Sequence, residues 1–107
     1  MKTLLLDDNL LTQTRVAAQL QNAGCELQTR RILPVDGNFE MILINLGSRS
    51  MPGLELLEAA KMRFTGAQIW GFCGHLEIDI RRAALKLGVD KLLTNEVAMS
   101  ELSNQLA

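Results

Sequence analysis

Short apolar runs alternate with longer stretches of helical periodicity along this chain. Five runs predict strands, at Lys2–Leu6, Glu26–Arg30, Met41–Leu46, Gln68–Cys73 and Lys91–Thr94. Most stretches between them carry apolar residues three and four positions apart, as amphipathic helices do. Buried strands separated by helices are typical of a parallel α/β sheet. The pattern therefore predicts a single α/β domain over residues 1–107, built from five βα units.

Four helices are predicted, at Leu10–Ala23, Leu54–Phe64, Leu76–Leu87 and Val97–Leu106. Gly24 and Gly88 directly follow the first and third of them, and glycine commonly ends a helix. The segment Arg31–Phe39 contains a proline, a glycine and an asparagine, which leave room for one helical turn at most. The second βα unit is therefore predicted to have a reduced or absent helix.

The second predicted strand alternates polar and apolar residues. Such alternation predicts an edge strand that is covered on one side only. Because the helix after this strand is reduced, we expect one flank of the sheet beside the first helix to be exposed. That flank is a candidate surface for a partner or for self-association.

Composition excludes several classes of function. Eleven Lys and Arg against twelve Asp and Glu give a net charge of −1, which provides no overall field to attract nucleic acid. Three Phe, one Trp and no Tyr leave little material for stacking bases. No apolar run reaches the roughly 18 residues of a membrane span, and no export signal is visible. We therefore expect a cytoplasmic protein that binds neither membranes nor, by this domain, nucleic acid.

The cysteines and the basic pairs give no sign of a metal or redox site. Cys25 and Cys73 lack the spacing of zinc ligands, and the predicted fold places them too far apart for a disulfide. Both are predicted to be reduced thiols. His75 has no second candidate ligand near it in sequence and is interpreted as a surface imidazole. Arg30–Arg31 and Arg81–Arg82 are interpreted as solvated residues, with docking of an acidic partner as the alternative.

In open parallel sheets, functional clefts lie beyond the carboxyl ends of the strands. The polar residues at that edge are Asp7, Asp8, Asn45, Cys73 and Asn95. Asp7 and Asp8 either end the strand and cap the first helix or bind Mg²⁺ weakly, since two carboxylates make an incomplete site. No Gly-rich phosphate loop follows the first strand, so no cofactor is expected.

These positions and their flanking segments resemble the response-regulator receiver (CheY-like) domains. The resemblance is carried, in chain order, by Leu5–Asn9, Met41–Leu46, Met51–Leu57 and Leu87–Asn95. It implies a flavodoxin-like sheet with strand order 2-1-3-4-5 and a signalling domain rather than an enzyme. It also implies a site composed of an acidic pair, a phosphoacceptor Asp, a Ser or Thr, and a Lys.

Several of these site positions carry different chemistry in this chain. The phosphoacceptor aligns with Asn45, whose neutral carboxamide cannot form an acyl phosphate. The Ser or Thr that hydrogen-bonds the phosphoryl group aligns with Cys73, and the Lys aligns with Asn95. The aromatic switch residue aligns with Leu92. The sequence therefore predicts a degenerate phosphoacceptor site that retains only the acidic pair.

The degenerate site is expected to hold together without an ion pair. Asn45 and Asn95 are each predicted to donate a hydrogen bond to Asp7 or Asp8. The alternative for Asn45 is a structural amide that satisfies backbone groups. Because Cys73 would lie beside two carboxylates, its thiolate is predicted to be disfavoured.

Together these features predict a pseudo-receiver, a phosphorylation-independent signalling domain that binds a protein partner in a two-component or transcriptional pathway. The resemblance implies that a partner, or a second copy in a homodimer, docks on the predicted helix 76–87, strand 91–94 and helix 97–106. The alternative is a phosphorelay receiver in which Asp7 or Asp8 is a displaced phosphoacceptor. The chain ends directly after its last predicted helix, which leaves open whether it is one domain of a longer regulator.

Overall fold

A computed structural model describes residues 1–106 of the chain. Its elements, in order, are β1 (Lys2–Leu6), α1 (Leu10–Asn22), β2 (Glu26–Arg30), β3 (Met41–Asn45), α2 (Gly53–Arg63), β4 (Gln68–Cys73), α3 (Ile78–Lys86), β5 (Lys91–Thr94), α4 (Asn95–Ser100) and α5 (Leu102–Gln105). All neighbouring strands pair in parallel, in the order β2-β1-β3-β4-β5. The predicted flavodoxin-like strand order 2-1-3-4-5 is confirmed.

The sheet separates two apolar cores. One core lies under α2 and α3 and includes Leu4, Leu6 and Ile44, while the other lies under α1, α4 and α5 and includes Leu5 and Leu43. Strand residues alternate between the two cores because successive side chains of a strand point to opposite faces. β3 is buried along its whole length, which explains its unbroken apolar run and places its last residue at the carboxyl edge of the sheet.

No helix connects β2 to β3 in the described chain, as predicted. Leu33 and Phe39 of this connection enter the core beside α2. The Phe39 ring meets Phe64 edge to face, with 5.6 Å between the ring centroids. Two apolar side chains of a loop thus cover part of the surface that a helix would cover.

β2 is covered on one face only, as predicted, since its residues are alternately exposed and half-buried. Leu27 packs against the core under α1, whereas Glu26, Gln28 and Arg30 are exposed. The exposed flank therefore lies on the face opposite α1. The expectation that it lies beside the first helix was wrong, because α1 itself covers that face.

The third predicted helix is shorter than expected. The prediction was Leu76–Leu87, but α3 begins at Ile78 because the residues before it form a turn. In that turn, Glu77 N donates to Gly74 O over 3.1 Å. The other predicted elements through β5 end within one residue of the observed bounds.

The last predicted helix, Val97–Leu106, forms two short helices instead. α4 begins earlier, at Asn95, because the Thr94 hydroxyl accepts a hydrogen bond from Val97 N at 3.2 Å and caps the helix. It ends at Ser100, because the φ of −128° and ψ of 3° of Glu101 are not helical. None of the helices in residues 1–106 is long and apolar enough to cross a membrane.

Candidate functional site

A polar cleft of about 540 Å³ opens at the carboxyl edge of the sheet. The loops that follow β1, β3 and β4 form its walls. Three of the predicted site residues, Asp8, Asn45 and Asn95, line this cleft. Asp7 and Cys73 belong to the same strand ends but are fully buried. The structure therefore divides the five predicted residues into three that line the cleft, of which Asn45 is nearly buried, and two that are fully buried.

Asp7 is buried with both carboxylate oxygens hydrogen-bonded. Oδ1 accepts from Asn45 Nδ2 at 2.9 Å and from Asn9 N at 3.0 Å. Oδ2 accepts from Thr12 Oγ1 at 2.6 Å. Bonds of this kind satisfy a buried carboxylate without a cation. The predicted donation from Asn45 to the acidic pair is present, and it goes to Asp7.

Asn45 uses both ends of its side-chain amide. Nδ2 donates to Asp7, and Oδ1 accepts from Gly47 N at 3.1 Å. A carboxylate on one side and an N–H on the other fix which way the amide points. Only 5% of the residue is exposed. The predicted bond to the acidic pair and the alternative of a structural amide therefore both describe this side chain.

Asp8 joins two loops of the cleft. One of its carboxylate oxygens accepts from Ser48 Oγ at 2.5 Å, and Ser48 Oγ in turn accepts from Ser50 N at 3.3 Å. The loop after β1 is thereby tied to the loop after β3. Sequence analysis did not single out Ser48, although its place in a polar loop directly after the strongest predicted strand was a usable signal.

Asn9, and not the acidic pair, caps α1. Its Oδ1 accepts from Leu11 N at 3.0 Å and from Thr12 N at 3.2 Å. The interpretation of Asp7 and Asp8 as the cap of the first helix was therefore wrong. Both carboxylates point instead to the cleft network, because α1 begins at Leu10 as predicted and its N-cap is therefore Asn9.

The acidic pair offers a Mg²⁺ ion an incomplete and partly engaged set of ligands. Magnesium needs oxygen ligands that are free to coordinate it. Both oxygens of Asp7 already accept hydrogen bonds, Asp8 accepts one from Ser48, and Asn45 presents its amide nitrogen rather than an oxygen to Asp7. Within residues 1–106, no cluster of three or more His, Cys, Asp and Glu side chains is placed to hold a metal ion.

Glu77 brings to the cleft a further carboxylate that sequence analysis missed. Its Oε2 accepts from Gly74 N at 2.6 Å. The same oxygen lies against Gly47, since a Cβ at that position would be only 2.7 Å from it. A Glu side chain can reach back to the backbone N–H three residues earlier, as it does in a capping box. The spacing between Gly74, which follows β4, and Glu77 was therefore the signal for this contact.

Cys73 is buried at the end of β4. Burial raises the pKa of its thiol, the guanidinium of Arg81 lowers it, and the charge of Glu77 raises it further. The predicted direction is confirmed, but the predicted cause was wrong, because burial and not the acidic pair dominates. Cys25 and Cys73 are both free thiols.

Arg81 is half-buried, although it was interpreted as a solvated residue. Its Nη1 atom is buried and has no hydrogen-bond partner among residues 1–106. Its side chain turns toward the end of β4 because it belongs to the helix that covers Cys73. Its neighbour Arg82 is exposed as expected.

Asn95 begins α4 and makes no hydrogen bond to either carboxylate. Its Oδ1 is buried without a partner in the part of the chain that is described. The predicted donation to Asp7 or Asp8 was therefore wrong, because nearer donors already satisfy both carboxylates. Leu92, at the switch position, is half-buried and packs against the core under α3. His75 is exposed and borders a second cavity of about 500 Å³.

No protein-family model matches the chain, and no curated protein matches it in sequence. Solved structures do match. A response-regulator receiver domain protein from Clostridium thermocellum has a TM-score of 0.81 and 19% identity, over 98% of this chain and 90% of that one. A CheY-like receiver domain protein from Methanospirillum hungatei has a TM-score of 0.76 and 18% identity, over 98% and 92%.

This chain has the receiver fold. A response regulator from Burkholderia pseudomallei, solved with a phosphorylated aspartic acid, a calcium ion and citrate, matches with a TM-score of 0.75 and 20% identity, over 98% of this chain and 69% of that one. Similarity at this level establishes the receiver fold and leaves the chemistry of the cleft to the residues present. Those residues include a carboxamide at the end of β3, where the resemblance places a phosphoacceptor.

Proposed function

We propose that this chain is a pseudo-receiver, a cytoplasmic signalling domain that acts through protein–protein contact and accepts no phosphoryl group at position 45. The observation that carries the proposal is the closed hydrogen-bond network around Asn45. The carboxamide donates to a buried carboxylate and accepts from a backbone N–H, so both of its polar atoms are engaged within the protein. A neutral amide has no lone pair suited to attack a phosphoryl donor.

The surroundings of Asn45 also oppose a bound phosphoryl group. Such a group carries a charge of about −1.5 to −2 and needs donors or cations to hold it. In the cleft, the carboxylates of Asp8 and Glu77 outnumber the one lining cation, the exposed Arg49, and Asp7 lies buried at the end of β1. Backbone N–H groups around it are engaged as well, since those of Asn9 and Ser50 donate to side chains of the cleft. These features support phosphorylation-independent signalling.

The displaced phosphoacceptor is the competing hypothesis. Asp7 is a poor acceptor because it is fully buried and both of its oxygens are hydrogen-bonded. Asp8 is half-buried and lines the cleft, so it is the residue on which this hypothesis depends. An experiment on phosphorylation must therefore include a variant at Asp8.

We propose that the partner docks on α3, β5, α4 and α5. On and beside α3, the apolar side chains of Leu76, Ile78 and Leu85 are 78%, 55% and 62% exposed. Ile78 and Leu85 are two helical turns apart and lie on one side of the helix, with the exposed Arg82 between them. β5 is also the edge strand of the sheet. An apolar patch with a basic residue suits a protein partner with an acidic rim.

The test is phosphorylation of the intact native chain. We expect no gain of a phosphoryl group by mass spectrometry after incubation with acetyl phosphate. We also expect no amide chemical-shift changes around residues 7, 8, 45, 73 and 95 on addition of Mg²⁺ and beryllofluoride. Saturable shifts that spread from the cleft to β5 would contradict the proposal. If Asp8→Asn then abolished them, Asp8 would be the displaced acceptor.

A further inference from the structure

The carboxylate of Glu77 lies in a narrow gap between Gly47 and Gly74. Gly74 N donates to its Oε2 over 2.6 Å. A Cβ on Gly47 would lie 2.7 Å from the same oxygen, and a Cβ on Gly74 would lie 3.2 Å from it. The first of these distances is too short for real atoms, so the carboxylate fits only because position 47 has no side chain.

This gap belongs to the same cleft in which the receiver resemblance puts a phosphoryl group. That group would be surrounded by residues 45, 73 and 95. Glu77 lines the cleft together with Asn45 and Asn95. Its negative charge also contributes to the raised pKa of Cys73, which places the carboxylate within electrostatic range of the end of β4. The protein therefore supplies an anion of its own in this corner of the cleft.

We propose that Glu77 is an internal anion that takes the place of a phosphoryl group and keeps other anions out. It engages the N–H of Gly74, which faces this corner, and it adds a negative charge that repels incoming anions. The inference rests on the proposed pseudo-receiver function and specifies its regulation. The anion in the cleft is built into the sequence, so its occupancy does not depend on a kinase or a phosphatase.

A simpler role for Glu77 would be to stabilise the turn between β4 and α3. The two roles differ in what an anion can do once position 45 is able to hold it. Asn45→Asp restores a third carboxylate beside Asp7 and Asp8, so that Mg²⁺ gains a plausible ligand set and beryllofluoride gains an attachment point. If Glu77 excludes anions, this variant alone still binds beryllofluoride poorly.

The decisive comparison is between Asn45→Asp and the double variant Asn45→Asp/Glu77→Ala. Both would be titrated with beryllofluoride in the presence of Mg²⁺ and followed by amide chemical shifts. We expect the double variant to bind at least about ten-fold more tightly, since it frees a hydrogen-bond donor and removes a negative charge. Equal binding by the two variants, or no binding by either, would overturn the role of Glu77.

Asn45→Asp/Asp79→Ala is the matched control. Asp79 lies in the first turn of α3, is exposed and does not line the cleft. Its removal changes the net charge and the charge at the start of the helix by the same amount as Glu77→Ala. We expect this control to bind beryllofluoride no better than Asn45→Asp. An equal improvement in the control would assign the effect to general charge and contradict the proposal.

A second measurement avoids substitution at position 45 altogether. Gly47→Ala is compatible with the backbone, since the φ of Gly47 is not positive, but its Cβ would displace the Glu77 carboxylate. We expect the Gly74 amide proton to shift upfield and exchange faster, as in Glu77→Ala. Gly66→Ala, which meets nothing within 4 Å, is the control. An unchanged Gly74 resonance in Gly47→Ala would overturn the proposed placement of the anion.

The pseudo-receiver function and the role of Glu77 would be contradicted by different results. Binding of beryllofluoride by the native chain contradicts the proposed function. Equal binding by Asn45→Asp and Asn45→Asp/Glu77→Ala contradicts only the role assigned to Glu77.

Discussion

At the ends of β1 and β3, the buried carboxylate of Asp7 accepts three hydrogen bonds. At the ends of β4 and β5, by contrast, two buried polar atoms, Arg81 Nη1 and Asn95 Oδ1, have no partner within residues 1–106. Both regions belong to one edge of one sheet, and the receiver resemblance assigns altered site residues to both. They differ in how well the altered residues complement their neighbours.

The difference follows from shape and from hydrogen-bonding capacity. An asparagine has the shape of an aspartate, and at position 45 its nitrogen adds a donor directed at Asp7. A thiol is a weak donor, and the amide oxygen of Asn95, at the start of α4, meets no donor from the described part of the chain. A buried polar atom without a partner costs about 1–3 kcal/mol. The first region is therefore held in one arrangement, and the second retains unused hydrogen-bonding capacity.

Asn45→Asp should have the largest effect on stability, because it disrupts the hydrogen-bond network around Asp7. Without a metal ion, it would put two buried carboxylates within about 3 Å of each other, and one must take up a proton. We expect the free energy of unfolding at neutral pH to fall by about 2–4 kcal/mol in urea titrations. The pKa of the pair would be raised in the folded state, so the deficit should shrink as pH falls, by up to about 1.4 kcal/mol per pH unit.

Asn38→Asp provides the control for this change. Asn38 is exposed in the loop between β2 and β3, and the same substitution there should change stability by less than about 0.5 kcal/mol at every pH. A loss at position 45 as small as at position 38 would mean that the network around Asp7 does not fix the cleft.

A comparison of Asn9→Ala with Asn95→Ala tests the contrast between the regions directly. Asn9 caps α1 through two backbone N–H groups, and its removal should lower the free energy of unfolding by about 1 kcal/mol. Asn95 Oδ1 has no partner within residues 1–106, so we expect removal of this side chain to leave stability unchanged within about 0.5 kcal/mol or to raise it. Both would be measured by thermal and urea unfolding. A larger loss at Asn95 than at Asn9 would reverse the comparison.

The architecture was predictable because its main signals are local. The apolar run Met41–Ile44 is buried on both faces, and the proline and glycine of the connection between β2 and β3 leave that connection without a helix. The division of the last helix was not predictable from local sequence. Ser103 N donates to Gln19 Oε1 of α1 at 2.9 Å, a contact between segments far apart in the chain. The sequence near Glu101 contains no signal that predicts this contact.

The candidate site was predictable to the extent that its residues end strands. Asp7, Asp8 and Asn45 directly follow or end buried runs, and parallel strands bring their carboxyl ends together. Glu77 was missed, and Arg81 was interpreted as solvated, because both lie on or beside a helix and the directions of their side chains depend on how that helix packs on β4. Strand ends can thus be located from hydrophobic periodicity, whereas helical side chains that reach back over the sheet require the packed structure.

Cys73 should produce the smallest effect, visible only at high pH. Burial raises the pKa of its thiol above the ordinary value of 9.0. The unfolded chain therefore releases this proton before the folded chain does, and the unfolded state binds fewer protons in that range. The stabilisation that comes from the raised pKa of the Cys73 thiol is complete below about pH 9 and is lost as pH rises further. Between about pH 8 and pH 10, we expect the native chain to lose somewhat more stability than Cys73→Ala, by less than about 1 kcal/mol.

Cys25→Ala is the control for that measurement, since Cys25 lies outside the cleft and is half-buried. The comparison bears on the less satisfied region because Arg81 lowers the pKa of the Cys73 thiol, while its own buried Nη1 atom has no partner among residues 1–106. If the native chain and Cys73→Ala lose stability equally with rising pH, the guanidinium compensates the thiolate. Arg81 and Cys73 would then form an ion pair at high pH. The contrast between this region and the region around β3 would hold only at neutral pH.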